Sequence, residues 1–278
     1  MNKSFVKISP LALASTLALA FALVPAVTQA ARAWLLPSQT VLARSGGWVA
    51  VDAAMADDLF SVNQGAMQIE NALTVTGPDG AAVTPQNPFK GRSRSAFDLE
   101  LRQPGTYRIT VADSAVMARW EGEDGRPKRW RGTAAEMAAN IPANAPKLEV
   151  EQVQRRVEAF VSVGTPSEVK TTEGEGIELV PLQHPNDLYA GEKAKLRFLV
   201  DGKPVKDLAV EIVAGGTRYR DAPEEKILKT DANGEITFTW PAPGLYWLDV
   251  GVADENANVP NVKKRRASYN ATFEVLPQ

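Results

Sequence analysis

The chain has 278 residues, with 31 lysines and arginines, 33 aspartates and glutamates, one histidine and no cysteine, for a formal charge of −2. Without cysteine it can form no disulfide and carry no lipid-modified cysteine, and with a single histidine it lacks the ligand sets of the usual structural and catalytic zinc sites. The slightly acidic balance argues against non-specific nucleic-acid binding.

Residues 1–30 read as a signal peptide. Lys3 and Lys7 precede an apolar run from Leu11 to Val24, and small residues up to Ala30 prepare a cut before Ala31. The run is short for a membrane span of ~20 residues. The expectation is an exported protein, neither a lipoprotein nor membrane-anchored, whose mature part of 29 basic and 33 acidic residues has a formal charge of −4. Its length suits two domains of ~100–125 residues each.

Residues 31–165 predict a β-sandwich domain. Trp34 to Leu42 suggests a first strand pair and Gly46 to Asp52 a second strand. Leu73-Thr-Val-Thr runs into the turn Gly-Pro-Asp-Gly. Ser95 to Leu101 alternates polar and apolar, and Gln103-Pro-Gly-Thr-Tyr opens another strand. Residues 115–132 predict a hairpin. If Asp124-Gly125 is a two-residue turn, Glu123 faces Arg126, Glu121 faces Lys128, Trp120 faces Arg129 and Arg119 faces Trp130. Each such pair is worth ~0.2–1 kcal/mol. The ribbon then satisfies itself and leaves Arg131 spare. Thr133 and Glu136 form a capping box for a short helix over 133–140, ended by Pro142. Leu148 to Val163 alternates again and predicts a long strand in this domain's sheet. Residues 166–176 read as a linker.

Residues 177–278 predict an Ig-like sandwich. Leu196, Phe198 and Val200 face one way, Lys195 and Arg197 the other, and Asp201-Gly202 turns the chain. A three-residue loop ending in a left-handed Gly234 would set Leu228 opposite Phe238. Gly244 to Val250 and Tyr269 to Leu276 close a fold of about seven strands. Both domains share a Pro-Gly-x-Tyr strand opening, at Pro104 and Pro243. The fold class is therefore all-β: two Ig-like or transthyretin-like β-sandwiches with one short helix between strands.

Chemistry is sparse. A catalytic triad would need His184, and no Gly-x-Ser-x-Gly elbow accompanies it, so the chain reads as non-enzymatic. His184-Pro-Asn-Asp187 offers His184 and Asp187 as ligands to nickel or cobalt, or simply makes a turn into a strand. Asp231, Asn233 and Glu235 have half the spacing of a calcium loop, but turn formation explains them, with Asp231 and Glu235 an unfavourable pair unless screened. Lys263-Lys-Arg-Arg266 reads as a charged sheet edge, or as a contact for lipid phosphates or a partner. Trp240, Tyr246 and Trp247 read as core, with one of the last two facing outward.

The resemblance is carried by Trp34-Leu-Leu-Pro-Ser, Lys128-Arg-Trp-Arg-Gly-Thr-Ala-Ala-Glu136, Glu178-Leu-Val-Pro-Leu and His184-Pro-Asn-Asp-Leu-Tyr-Ala-Gly-Glu192. It continues through Asp201-Gly-Lys-Pro204, Gly215-Gly-Thr-Arg-Tyr-Arg-Asp221, Thr230-Asp-Ala-Asn-Gly234 and Trp240-Pro-Ala-Pro-Gly-Leu-Tyr-Trp247. These motifs span nearly all of the expected mature chain and resemble a family of bacterial periplasmic proteins described as nickel-uptake-associated, or as a periplasmic component of cobalt transport. The resemblance implies a periplasmic location, a divalent transition metal (nickel or cobalt) as ligand, and an outer-membrane receptor or transporter component as partner. Many members carry histidines beside the mature N-terminus, where this chain has Ala31, Arg32 and Ala33. Two functions are thus expected in competition: a binding or accessory protein for metal uptake, and an envelope protein–protein interaction module without a metal ligand.

Overall fold

The structure is a computed structural model describing residues 31–142, 144–170 and 174–278. The expected signal peptide lies outside the described residues. Residues from Ala31 onward form one compact unit. It is all-β, and its sheets stack rather than close into a barrel.

The largest sheet has nine strands. Its path runs from Lys226–Lys229 through Ala209–Ala214, Gly244–Asp254, Lys264–Val275, Glu149–Val163 and Gly105–Glu121 to Leu73–Thr76. Val41–Leu42 and Pro127–Gly132 pair alongside. A second sheet, led by Arg32–Pro37, Gly47–Ala56 and Ser95–Leu101, covers one face of it. A third, made of Ile177–Pro181, Lys193–Val200, Lys203–Pro204 and Glu235–Thr239, covers the other.

The two cores lie on opposite faces of shared strands. Val157, Ala159, Val161 and Val163 pack with Leu35, Val51, Phe97 and Leu99 in the first core. Their neighbour Phe160 joins Phe198, Trp240, Tyr269 and Phe273 in the second. The strand Glu149–Val163 pairs antiparallel with Gly105–Glu121, as its assignment to the first domain's sheet requires. It also pairs in parallel with Lys264–Val275, which the sequence did not suggest. Alternation along a strand implies one wet and one dry face; near Glu158 both faces are covered. Two further expectations are corrected. Tyr246 and Trp247 are both buried, Tyr246 in the second core and Trp247 with Trp34 and Leu59 in a third cluster. The residues Lys264 to Arg266 belong to an interior strand paired on both sides, not to an edge, and Arg265 is buried between Asp201 and Asp254.

Both Pro-Gly-x-Tyr openings are tyrosine corners of the kind found in immunoglobulin-type sandwiches. The Tyr107 hydroxyl donates to the Gln103 carbonyl at 3.1 Å and accepts its N–H at 2.8 Å. Tyr246 does the same with Ala242, at 2.8 and 3.3 Å.

The hairpin register differs from expectation by one residue. Glu121 faces Pro127, Trp120 faces Lys128, Arg119 faces Arg129 and Ala118 faces Trp130. The turn closes instead as a three-residue loop, with the Gly122 N–H on the Arg126 carbonyl and Gly125 in the left-handed region. One residue of slip exchanges every cross-strand partner. Arg131, expected to be spare, is paired with Asp113 at 2.5 Å. At Asp231–Glu235 the three-residue loop and left-handed Gly234 are as expected. Leu228 and Phe238 nevertheless do not meet, because their strands diverge into different sheets. The capping box forms: the backbone N–H and hydroxyl of Thr133 both donate to Glu136 Oε2 at 2.9 Å.

Candidate functional site

His184 is half-buried in the seam between the sandwiches, and both ring nitrogens are engaged. Nδ1 accepts the Asn186 N–H at 3.0 Å, which leaves Nε2 as the protonated nitrogen. Nε2 donates to the Ser167 carbonyl at 3.0 Å and lies 2.9 Å from the Thr106 hydroxyl. Thr106 in turn contacts Ser162, whose hydroxyl donates to Asn186 Oδ1 at 2.8 Å. Burial holds the His184 pKa below its ordinary value, partly offset by the Ser167 carbonyl and by Asp187. The neutral ring is the form this network uses. The Asp187 carboxylate sits 3.4 Å from Gln183 Nε2, and its N–H closes the turn on the His184 carbonyl. A metal on Nε2 would have to displace two protein partners, and one on Nδ1 would orphan the Asn186 N–H. Among the described residues no group of three or more His, Asp or Glu side chains is arranged to hold a metal ion.

A buried ion-pair cluster lies on the next stretch of the shared strand. Glu158 is fully buried and accepts a bidentate pair from Arg108, at 2.9 and 3.0 Å. Thr110 and Tyr269 donate to the same carboxylate at 3.1 and 2.8 Å. Arg108 also donates to the Lys170 carbonyl at 2.8 Å. Such a buried pair costs desolvation that only this many partners can offset. It joins Gly105–Glu121, Glu149–Val163 and Lys264–Val275, and so fastens the two sandwiches. Sequence reading missed it, because an alternating Glu on a strand looks solvent-facing.

The calcium-like loop satisfies itself. Asp231 Oδ1 accepts the N–H groups of Asn233 and Glu235 at 2.8 and 2.9 Å. Glu235 is turned toward Arg197 and Lys195, which are the cations that relieve the like-charge pair.

A groove of about 450 Å³ was not singled out from sequence. Leu59, Phe60, Pro243 and Leu245 line it together with Tyr219, a residue 82% exposed, whose ring lies 5.4 Å from the Arg218 guanidinium. Phe60 holds φ at 60°, uncommon for a bulky residue. Its ring stands edge-on to Trp34 and lies against Gly215, where a Cβ would come within 3.3 Å of it. The Leu59 N–H donates to Thr217 Oγ1 at 2.9 Å, tying the two rims. The available signal was Gly215-Gly216, small residues that admit an aromatic ring.

Among solved structures, the chain is similar to the human OSCAR ligand-binding domain at 16% identity, covering 88% of this chain and 99% of that one, with a TM-score of 0.21. It is similar to the D0-D1 domain of intimin at 12% identity, 86% and 96% coverage and a TM-score of 0.20. No curated protein matches it. A family profile described as a domain of unknown function, DUF4198, matches residues 28–254. The chain belongs to the DUF4198 family.

Proposed function

We propose that this chain is an exported, non-enzymatic accessory protein of the periplasm that works by binding another envelope protein through the Tyr219 groove. The observation that carries the reading is an exposed tyrosine, backed by arginine, over a concave apolar floor that includes a backbone-strained phenylalanine. Tyr and Arg over a pocket are the composition of binding hot spots. Strained backbone gathers where function requires it. The resemblance to metal-uptake proteins supplies the partner's class: a receptor or transporter component serving nickel or cobalt. Direct metal carriage at His184 and Asp187 has less support, since the imidazole already serves Asn186, Ser167 and Thr106.

The test places a photo-crosslinking phenylalanine analogue at Tyr219 in the native host. A discrete adduct with an envelope protein is expected, absent when the same analogue replaces the exposed Lys206. No adduct, or an identical one at Lys206, rejects the reading. Calorimetric titration of the mature protein with nickel and cobalt is expected to give no binding that depends on His184. Micromolar affinity lost in His184→Ala would put direct metal carriage in its place.

A further inference from the structure

The corrected hairpin register exposes a charged face. Beyond the second sheet's cover, alternate residues of four neighbouring strands share one open surface. Arg129, Arg119 and Glu149 lie in one cross-strand row, and Arg131, Met117, Glu151 and Lys264 in the next. Arg266 and Arg155 follow on the same face, with Asp113 beside Arg155. The opposite face of these strands is closed, with Val116, Ala118, Gln152 and Arg265 all buried.

Asp113 holds Arg131 and Arg155, and Glu151 holds Arg266. Arg119, Arg129 and Lys264 have no ion pair or side-chain hydrogen bond among the described residues. Arg119 and Arg129 are direct cross-strand neighbours, and like charges so placed repel. With the Lys147–Glu121 pair beside Arg119 included, seven cations stand against four carboxylates there, on a chain whose formal charge is −2.

We infer that this face binds a phospholipid surface through its anionic headgroup phosphates. The cations are spread over four strands, roughly 15 Å at ordinary strand spacing, instead of converging on a deep pocket. The cleft among them is about 130 Å³. A protein interface of stable type needs a desolvated apolar core, and this face offers only Met117, Ala115 and Val153, half-buried between the charges. Long Arg and Lys side chains on a flat, wet face suit a plane of phosphates, each basic residue near such a surface contributing roughly a fivefold change in affinity.

The experiment is co-sedimentation of the mature protein with vesicles of phosphatidylcholine, with and without phosphatidylglycerol. Binding is expected only with phosphatidylglycerol, falling as salt rises from ~50 to ~500 mM. Arg119→Ala with Arg129→Ala is expected to weaken it roughly tenfold or more. Arg119→Lys with Arg129→Lys retains most of it, and Lys203→Ala with Lys206→Ala leaves it unchanged. Both arginines are exposed, so the double alanine variant keeps its thermal midpoint. Absence of binding at low salt, an undiminished double alanine variant, or equal loss in the lysine pair elsewhere overturns the inference. Binding to polyglutamate without binding to vesicles also overturns it, and identifies an acidic polypeptide as the occupant.

Discussion

Asp249 stands between Glu211 and Asn270 on the Trp247 side of the nine-stranded sheet, and Asn270 Nδ2 donates to it at 2.6 Å. Burial raises its pKa to about 6, with Glu211 adding to the rise and Asn270 and Arg32 opposing it. The folded carboxyl therefore holds its proton through a range where the unfolded one, near 3.8, has lost it. Folding is favoured below that window, and the advantage is lost as pH rises from about 4 to about 6. Asp249→Asn is expected to be more stable than the parent at pH 7, with the difference shrinking as pH falls through the same window. Denaturant melts at several pH values check this, and a constant difference would exclude Asp249 as its source. None of this was legible in Leu-Asp-Val. An acidic residue on an alternating strand reads as wet until the covering layer is known, and Arg32, which helps cover it, is more than two hundred residues away in sequence. His184 was legible as a turn residue, but its partners Thr106 and Ser167 were not.

At the level of elements, one loop recurs three times. In Gly77–Ala81, Gly122–Arg126 and Asp231–Glu235 the first N–H bonds the fifth carbonyl, and the fourth residue, a glycine at φ of 85°, 71° or 72°, bonds the first carbonyl. Each carries Asp-Gly or Asn-Gly at its end. Yet Asp201-Gly202 makes a two-residue turn, both residues being left-handed. The dipeptide thus announces a hairpin without fixing its length, so a two-residue turn at Asp124-Gly125 misplaces the 115–132 register by one residue. The three glycines are conformationally alike but differ in their surroundings. A Cβ at Gly80 or Gly125 meets nothing within 4 Å, while at Gly234 it would lie 2.4 Å from the Phe198 carbonyl oxygen. Gly80→Ala and Gly125→Ala are expected to cost ~1–2 kcal/mol from left-handed strain alone. Gly234→Ala should cost clearly more by urea melts, and equal costs in all three would refute the packing argument.

For the whole molecule, the strand pattern made an all-β, Ig-like fold legible, but not its shared nine-stranded sheet. Parallel pairing of Glu151–Ala159 with Lys264–Thr272 leaves no local turn signal, because the paired segments are joined by an entire second sandwich. The shared sheet links the segments on either side of residues 166–176. Calorimetry of the mature protein is expected to show one unfolding transition. Glu158→Gln, which strands the buried Arg108 charge, should lower the midpoint by an amount matching ~3–5 kcal/mol without splitting the peak. Two resolved transitions would show that the halves melt separately.

That distant pairing also bears on how the sheet assembles. Without Lys264–Val275, Glu149–Val163 carries an open edge along Glu151–Ala159, next to the buried Phe160 and Val161. An unpaired apolar edge is a template for pairing with another chain, and contacts about a hundred residues apart form slowly. Refolding of the mature chain is therefore expected to be prone to aggregation until this strand docks, as light scattering on dilution from urea would show.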